Sequence, residues 1–367
     1  MSTILINGSN LKQGGGIQVA DSVCRELHRF PQHRFVVVLS TFFSETLTAI
    51  KDYPNVEVCQ YDVRNNMSTL LFGRDAFLDG LVTEKKIDAI LTIFGPSRWR
   101  PRCKHLCGFA RAQLLLKNPL QKKRPLKEKL SYRIWEWAFR RSSNVFYTEN
   151  SYITDMLLQL MRNVKAYTVT NYYNQVFDQP EQWKKKKLPE FDGISLLTVS
   201  NAYPHKNLEI AADISRVLIK THPDFSFRFV FSIEREQYLA DINGIEGHFV
   251  FLGKIEIAEC PSLYEQCDIV FQPTLMECFT ATYPEAMRME RPIVTTDLEF
   301  ARGLCGDAAC YYSAVDAEAA AEAIYKVATD KERSALLVAN GKRQLKTYDN
   351  YEQRAYKLIG ILEEMAK

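Results

Sequence analysis

At 367 residues, 46% apolar and 25% charged, the chain has a globular composition and is long enough for two domains, each with a full core. A net charge of +3 gives no charge-based reason to expect nucleic acid, and no run approaches the roughly 18 consecutive apolar residues of a membrane span. Nine cysteines, odd in number and scattered from Cys24 to Cys310, suit reduced thiols, and the start MSTILINGSN lacks a secretory leader, so the expected location is the cytoplasm. Cys103 and Cys107 have no matching His/Cys pair, and no zinc site is expected from them.

The first unit predicted is a strand at residues 3–6, a loop with Gly14, Gly15 and Gly16, and a helix over 17–30 in which Ile17, Ala20, Val23, Cys24 and Leu27 recur at helical spacing. Glycines after a first strand permit close approach of an anion or sugar; a flexible loop with no ligand is the alternative. The G-x-G-x-x-G fingerprint is absent, which argues against a dinucleotide. Strand and helix signals then alternate: strands at 35–39, 56–58, 89–93, 106–110, 145–148 and 166–170, with helices near 45–51, 77–85, 126–141 and 152–161. This predicts a parallel sheet covered on both faces.

Two basic features stand out in this half. The loop after residues 89–93 carries Arg98, Arg100, Arg102 and Lys104 beside Trp99, at the end of a strand where α/β sheets bind ligands. It is suited to a phosphorylated substrate, or is a solvated run. The helix over 126–141 lines up Leu126, Leu130, Ile134, Trp137 and Ala138 on one face, flanked by Lys127, Lys129, Arg133, Arg140 and Arg141, with Lys122, Lys123 and Arg124 upstream. Such a helix fits an anionic membrane surface, or packs on its own sheet with its charges in water.

Residues 174–193, with Pro180, Pro189 and the solvated run Lys184 to Lys187, read as a linker. A second series follows: strands at 195–199, 227–231, 249–253, 269–271 and 292–296, with helices over 208–218, 261–267 and 286–289 and an alanine-rich covering helix over 317–328. Lys206 sits where the first of these strands leads into a helix, a place where a cation and free amides hold a diphosphate. Glu277 and Glu285 lie in the loop and first helical turn after the strand at 269–271. Both can accept hydrogen bonds from sugar hydroxyls; the alternative is a solvated loop acid and a dipole-complementing one.

The pattern Glu277-Cys278-Phe279, Pro284-Glu285-Ala286 and Arg291-Pro292-Ile293-Val294 resembles the E-x7-E signature of retaining glycosyltransferases of family four, which have the GT-B fold. Tyr203-Pro204-His205-Lys206-Asn207 resembles a form of the same family's donor-phosphate loop, and residues 348–365 resemble its terminal helix. The resemblance implies an α/β fold of two doubly wound Rossmann-like domains facing across a cleft: 1–173 on the acceptor side, 174–193 as linker, 194–345 binding the nucleotide sugar, and 346–367 crossing back.

It further implies transfer of a sugar from a nucleoside-diphosphate donor to a hydroxyl acceptor with retained configuration and no metal. Lys206 would hold the diphosphate, Glu277 the sugar hydroxyls and Glu285 the ribose. Amides after Phe279, with Gly15 and Gly16, would add to the phosphate site. Two positions depart from the family pattern: a common arginine is Asn201 here, and a common glycine is Thr280. The family's usual first-domain histidine has no match, His105 being out of register. With the basic features, Arg98, Arg100 and Arg102 suggest a lipid-linked acceptor in surface polysaccharide or glycolipid assembly. The rival readings are a nucleotide-sugar epimerase of the same fold and a non-catalytic membrane-binding module.

Overall fold

The computed structural model describes residues 1–12, 14–63, 67–96, 98–121 and 124–366; of the residues read above, Lys122 and Lys123 lie outside this set. The chain divides into two compact units, Met1–Leu115 with Lys123–Asn171 and Asp349–Lys367, and Leu116–Lys122 with Tyr172–Tyr348.

In the first unit, β1 (Thr3–Gly8), β2 (Arg34–Leu39), β3 (Val56–Gln60), β4 (Ala89–Thr92), β5 (Lys104–Gly108), β6 (Val145–Thr148) and β7 (Lys165–Thr168) form one parallel sheet in the order β3-β2-β1-β4-β5-β6-β7. The near-continuous apolar strands follow from burial of both faces. Successive side chains point to opposite sides, so Phe35, Val37 and Leu39 join Ile4 and Ile6, whereas Val36 and Val38 join Leu5, Ile90 and Trp99. The C-terminal helix Tyr351–Ala366 closes the first of these faces with Ala355, Leu358, Ile359 and Leu362, a helical i, i+3, i+4, i+7 stripe.

The chain runs outward from β1 to β3, then returns to β4 on the other side of β1. That reversal leaves room for two loops at the carboxyl ends of β1 and β4. Asn10 Nδ2 donates to the Phe94 carbonyl at 2.8 Å and joins them. Behind them His105 is buried in β5, with Nδ1 2.7 Å from the Ser142 carbonyl and Nε2 2.8 Å from Thr92 Oγ1. It pins the end of the helix Leu126–Ser142 to the sheet, and burial drives its pKa down to about 4. Its imidazole is therefore expected to stay neutral, with a proton NMR shift flat from about pH 8 to about pH 5. A titration near the ordinary histidine value would contradict this placement.

The second unit repeats the plan. β8 (Ile194–Thr198), β9 (Phe227–Phe231), β10 (Phe249–Phe251), β11 (Ile269–Gln272), β12 (Ile293–Thr296) and β13 (Ala309–Tyr312) are all parallel, in the order β10-β9-β8-β11-β12-β13. One face of its core is aromatic, built from Phe229, Phe231, Tyr238, Phe249 and Phe271 under the helix Ile210–Thr221. Residues 172–193 lead into this unit and are held along it: Phe177 is buried, Trp183 Nε1 donates to the Val176 carbonyl at 2.7 Å, and Lys184 Nζ lies 2.5 Å from Glu256.

Candidate functional site

In the second unit the reversal of strand order falls between β8 and β11, which pair through Leu196 with Ile269 and Leu197 with Val270. Their following loops therefore rise side by side. Threonines fix the roots: Thr198 Oγ1 donates to the Phe271 carbonyl at 2.5 Å, and Thr296 Oγ1 to the Thr274 carbonyl at 2.7 Å. Each hydroxyl ties a backbone carbonyl at or just beyond the end of β11 to a neighbouring strand.

The loop after β8 makes a 3-10 turn, Pro204–Lys206, whose geometry places Asn207 at φ 53°, in the left-handed region that asparagine tolerates better than most residues. The longer helix begins only at Ile210, so Lys206 ends a tight turn rather than capping a helix. The amide of Leu275 donates to the His205 carbonyl at 2.8 Å, clamping the two loops together. Lys206 Nζ then reaches Glu277 Oε1 at 2.5 Å, with side-chain exposures of only 15% and 10%. Thr274 Oγ1 donates to the same carboxylate oxygen at 2.7 Å. One cation, one carboxylate and one hydroxyl are thus locked together at the switch point. Burial lowers the pKa of neighbouring His205, partly offset by the Glu277 charge.

Glu285 is the fourth residue of the helix Thr282–Arg288 and is buried. Tyr264, on the helix Cys260–Gln266, donates its hydroxyl to Glu285 Oε2 at 2.7 Å. Burial raises the Glu285 pKa to about 7, and the tyrosine hydrogen bond holds it from rising further. Of the remaining donor-side candidates, Asn201 is exposed, Thr280 is buried, and Phe279 is half-buried with its ring edge toward Tyr348 at 6.0 Å. Sequence reasoning missed Thr274 and Tyr264. Thr274 was visible as a hydroxyl three residues before Glu277, whereas nothing in the sequence links Tyr264 to Glu285.

In the first unit Gly15 and Gly16 open the helix Gly15–Arg25. A Cβ on Gly15 would meet nothing, so its backbone is approachable, and Gly14 at φ 76° takes the conformation glycine allows. The three arginines of the basic loop differ in their surroundings. Arg98 lies over the Trp135 ring at 5.7 Å, whereas Arg100 and Arg102 are exposed, the backbone amide of Arg100 donating to the Gly73 carbonyl. Arg111, absent from the sequence reading, covers the same indole at 3.7 Å. Burial and the nearby Arg98 charge both lower its pKa. Among the described residues no group of three or more His, Cys, Asp or Glu side chains is placed to hold a metal ion.

Residues 193–330, which contain Lys206, Glu277 and Glu285, match the family model described as glycosyl transferases group 1. The second unit is thus similar to the group 1 glycosyltransferases. Solved structures are similar over the whole length of the chain. A sucrose-phosphate synthase from Thermosynechococcus elongatus aligns with TM-score 0.71 and 13% identity over 99% of this chain and 98% of that one. A glycosyltransferase from Rickettsia africae gives TM-score 0.70 and 13% identity over 100% and 99%. Anabaena HepE, solved in complex with UDP, gives 0.68 and 16% over 99% and 100%. No curated protein sequence matches the chain. At these identities the likeness is one of fold: two Rossmann-like domains of the GT-B type.

Proposed function

We propose that this glycosyltransferase moves a sugar from a nucleoside-diphosphate donor to a hydroxyl acceptor with retention of configuration, in the cytoplasm, during surface polysaccharide or glycolipid assembly. The observation that carries the reading is the Lys206–Glu277 pair, held by two clamped loops at the strand-order reversal of the matched domain. HepE, similar in fold, is seen with UDP. In this reading Lys206 exchanges part of its contact with Glu277 for the donor diphosphate and stabilises the negative charge that grows as the nucleoside diphosphate leaves. Glu277, still held by Thr274, accepts hydrogen bonds from the sugar hydroxyls, and Glu285 accepts from the ribose. No metal is required by this assignment, the departing charge being met by Lys206 and backbone amides. Arg98, with Arg111, serves the acceptor side.

The test is a panel of UDP-, GDP- and ADP-sugars followed by NMR of the anomeric proton. One donor is expected to be hydrolysed slowly without acceptor, releasing first the anomer it carried. Release of the opposite anomer would overturn retention. Conversion of the donor to its epimer with the diphosphate still attached would replace transfer by epimerisation, and binding of no donor would overturn the reading as a whole.

A further inference from the structure

The helix Leu126–Ser142 is half committed to the fold. Ala138, Phe139 and Ser142 are buried, but Leu126, Leu130, Ile134 and Trp137 are 82%, 59%, 44% and 39% exposed. Their spacing of four, four and three residues places them in one stripe along the helix. Most of the expected apolar face is therefore left exposed; its last member, Ala138, is buried. The stripe continues onto a second element. Arg141, stacked over the Trp137 ring at 4.5 Å, donates through Nη1 to the Leu71 carbonyl at 2.7 Å. Leu71 and Phe72, which end the helix Met67–Phe72, are both exposed.

Charge decides what covers this stripe. Lys127, Lys129 and Arg133 are exposed, and among the described residues none has a carboxylate within ion-pair distance. The two acids of the helix are already engaged: Glu136 pairs with Arg140 at 2.7 Å, and Glu128 accepts the Tyr132 hydroxyl. Among the described residues no helix is long and apolar enough to cross a bilayer. We propose that this face docks on an anionic lipid surface, with Leu126, Leu130, Ile134 and Phe72 entering the acyl boundary, Trp137 at the headgroup level and the three unpaired cations on lipid phosphates. The docking rests on residues separate from Lys206, Glu277 and Glu285, so it stands or falls independently of the donor chemistry.

Sedimentation of the full chain with vesicles tests it, comparing pure phosphatidylcholine with an equimolar mixture of phosphatidylcholine and phosphatidylglycerol. Wild type is expected to sediment with the anionic vesicles, less so at high salt, and not with the neutral ones. Two triple variants, Leu126→Ser/Leu130→Ser/Ile134→Ser and Lys127→Gln/Lys129→Gln/Arg133→Gln, should each lose binding by about tenfold or more. Every replaced side chain is exposed, so both variants should keep the wild-type melting temperature and nucleoside-diphosphate affinity. Wild type failing to bind anionic vesicles, or either variant binding as well as wild type, overturns the proposal. So does a wild-type dimer in sedimentation equilibrium that the leucine–isoleucine variant abolishes, since the stripe would then belong to a second copy of this chain.

Discussion

Replacing Lys206 by alanine is expected to weaken nucleoside-diphosphate binding at least tenfold and to destabilise the second unit by about 3 kcal/mol. The second effect comes from what the lysine leaves behind. Glu277 is little exposed, and without Lys206 its charge keeps, among the described residues, the Thr274 hydroxyl. A carboxylate stripped of its counter-ion in such surroundings is destabilising well beyond the value of the contact itself. A second substitution separates the two losses. In Lys206→Ala/Glu277→Gln the orphaned charge is gone, so most of the stability should return while diphosphate binding does not. Thermal denaturation and calorimetry on the four proteins of this cycle give the coupling directly. Stability unchanged in Lys206→Ala would mean the pair contributes little, and binding restored in the double variant would remove Lys206 from the donor site.

The Glu285→Gln variant is expected to be more stable than wild type above pH 7 and equal to it near pH 4.5. Burial lifts the folded-state pKa of Glu285 from 4.5 to about 7. The folded protein therefore holds a proton that the unfolded chain has released throughout that interval. Stability tied to this group is complete below pH 4.5 and falls as pH rises to 7, by about 3 kcal/mol in all. Glutamine cannot ionise and still accepts the Tyr264 hydroxyl, so the difference in melting temperature should open across that window. A constant difference from pH 4.5 to 8 would show that Glu285 is not held protonated. Donor binding should change in the opposite sense. Ribose hydroxyls donate to a carboxylate better than to a carboxyl, so nucleotide affinity in wild type should fall as pH drops below 7, with a proton released on binding. Glu285→Gln should bind more weakly and without that proton.

The stability expected from Glu285→Gln and the function expected to suffer from it express one physical fact, a carboxylate held where the folded chain alone would not keep it charged. Lys206 and Glu277 show the complementary arrangement, in which the two charges neutralise each other. The two glutamates are eight positions apart in one strand–loop–helix unit, yet one meets a lysine and the other a tyrosine hydroxyl.

Much of this was written locally. Runs such as Phe35 to Leu39 and Phe227 to Phe231 declare buried parallel strands because β-branched and aromatic residues suit a pleated surface covered on both faces. The alternation of such runs with helical periodicity fixes the α/β class, and Glu277, Glu285 and Lys206 are singled out by their places after predicted strands together with the resemblance of their surroundings to the family's motifs. Elements whose signal is weak went unseen: β13 is only four residues, Ala309–Tyr312, and the helix Lys331–Leu345 is largely polar, with Gly341 in its interior where it approaches Met287. Tertiary structure alone decided which charges meet. The Lys206–Glu277 contact spans 71 residues and exists because β8 and β11 are neighbours at the strand-order reversal, a property of topology that no local window contains. The same holds for Tyr264 beneath Glu285, for His105 as a pin between strand and helix, and for the helix Leu126–Ser142. Its sequence gives an apolar stripe and a basic flank, but only the placement of Ala138 and Phe139 against the fold shows that the stripe points away from the protein.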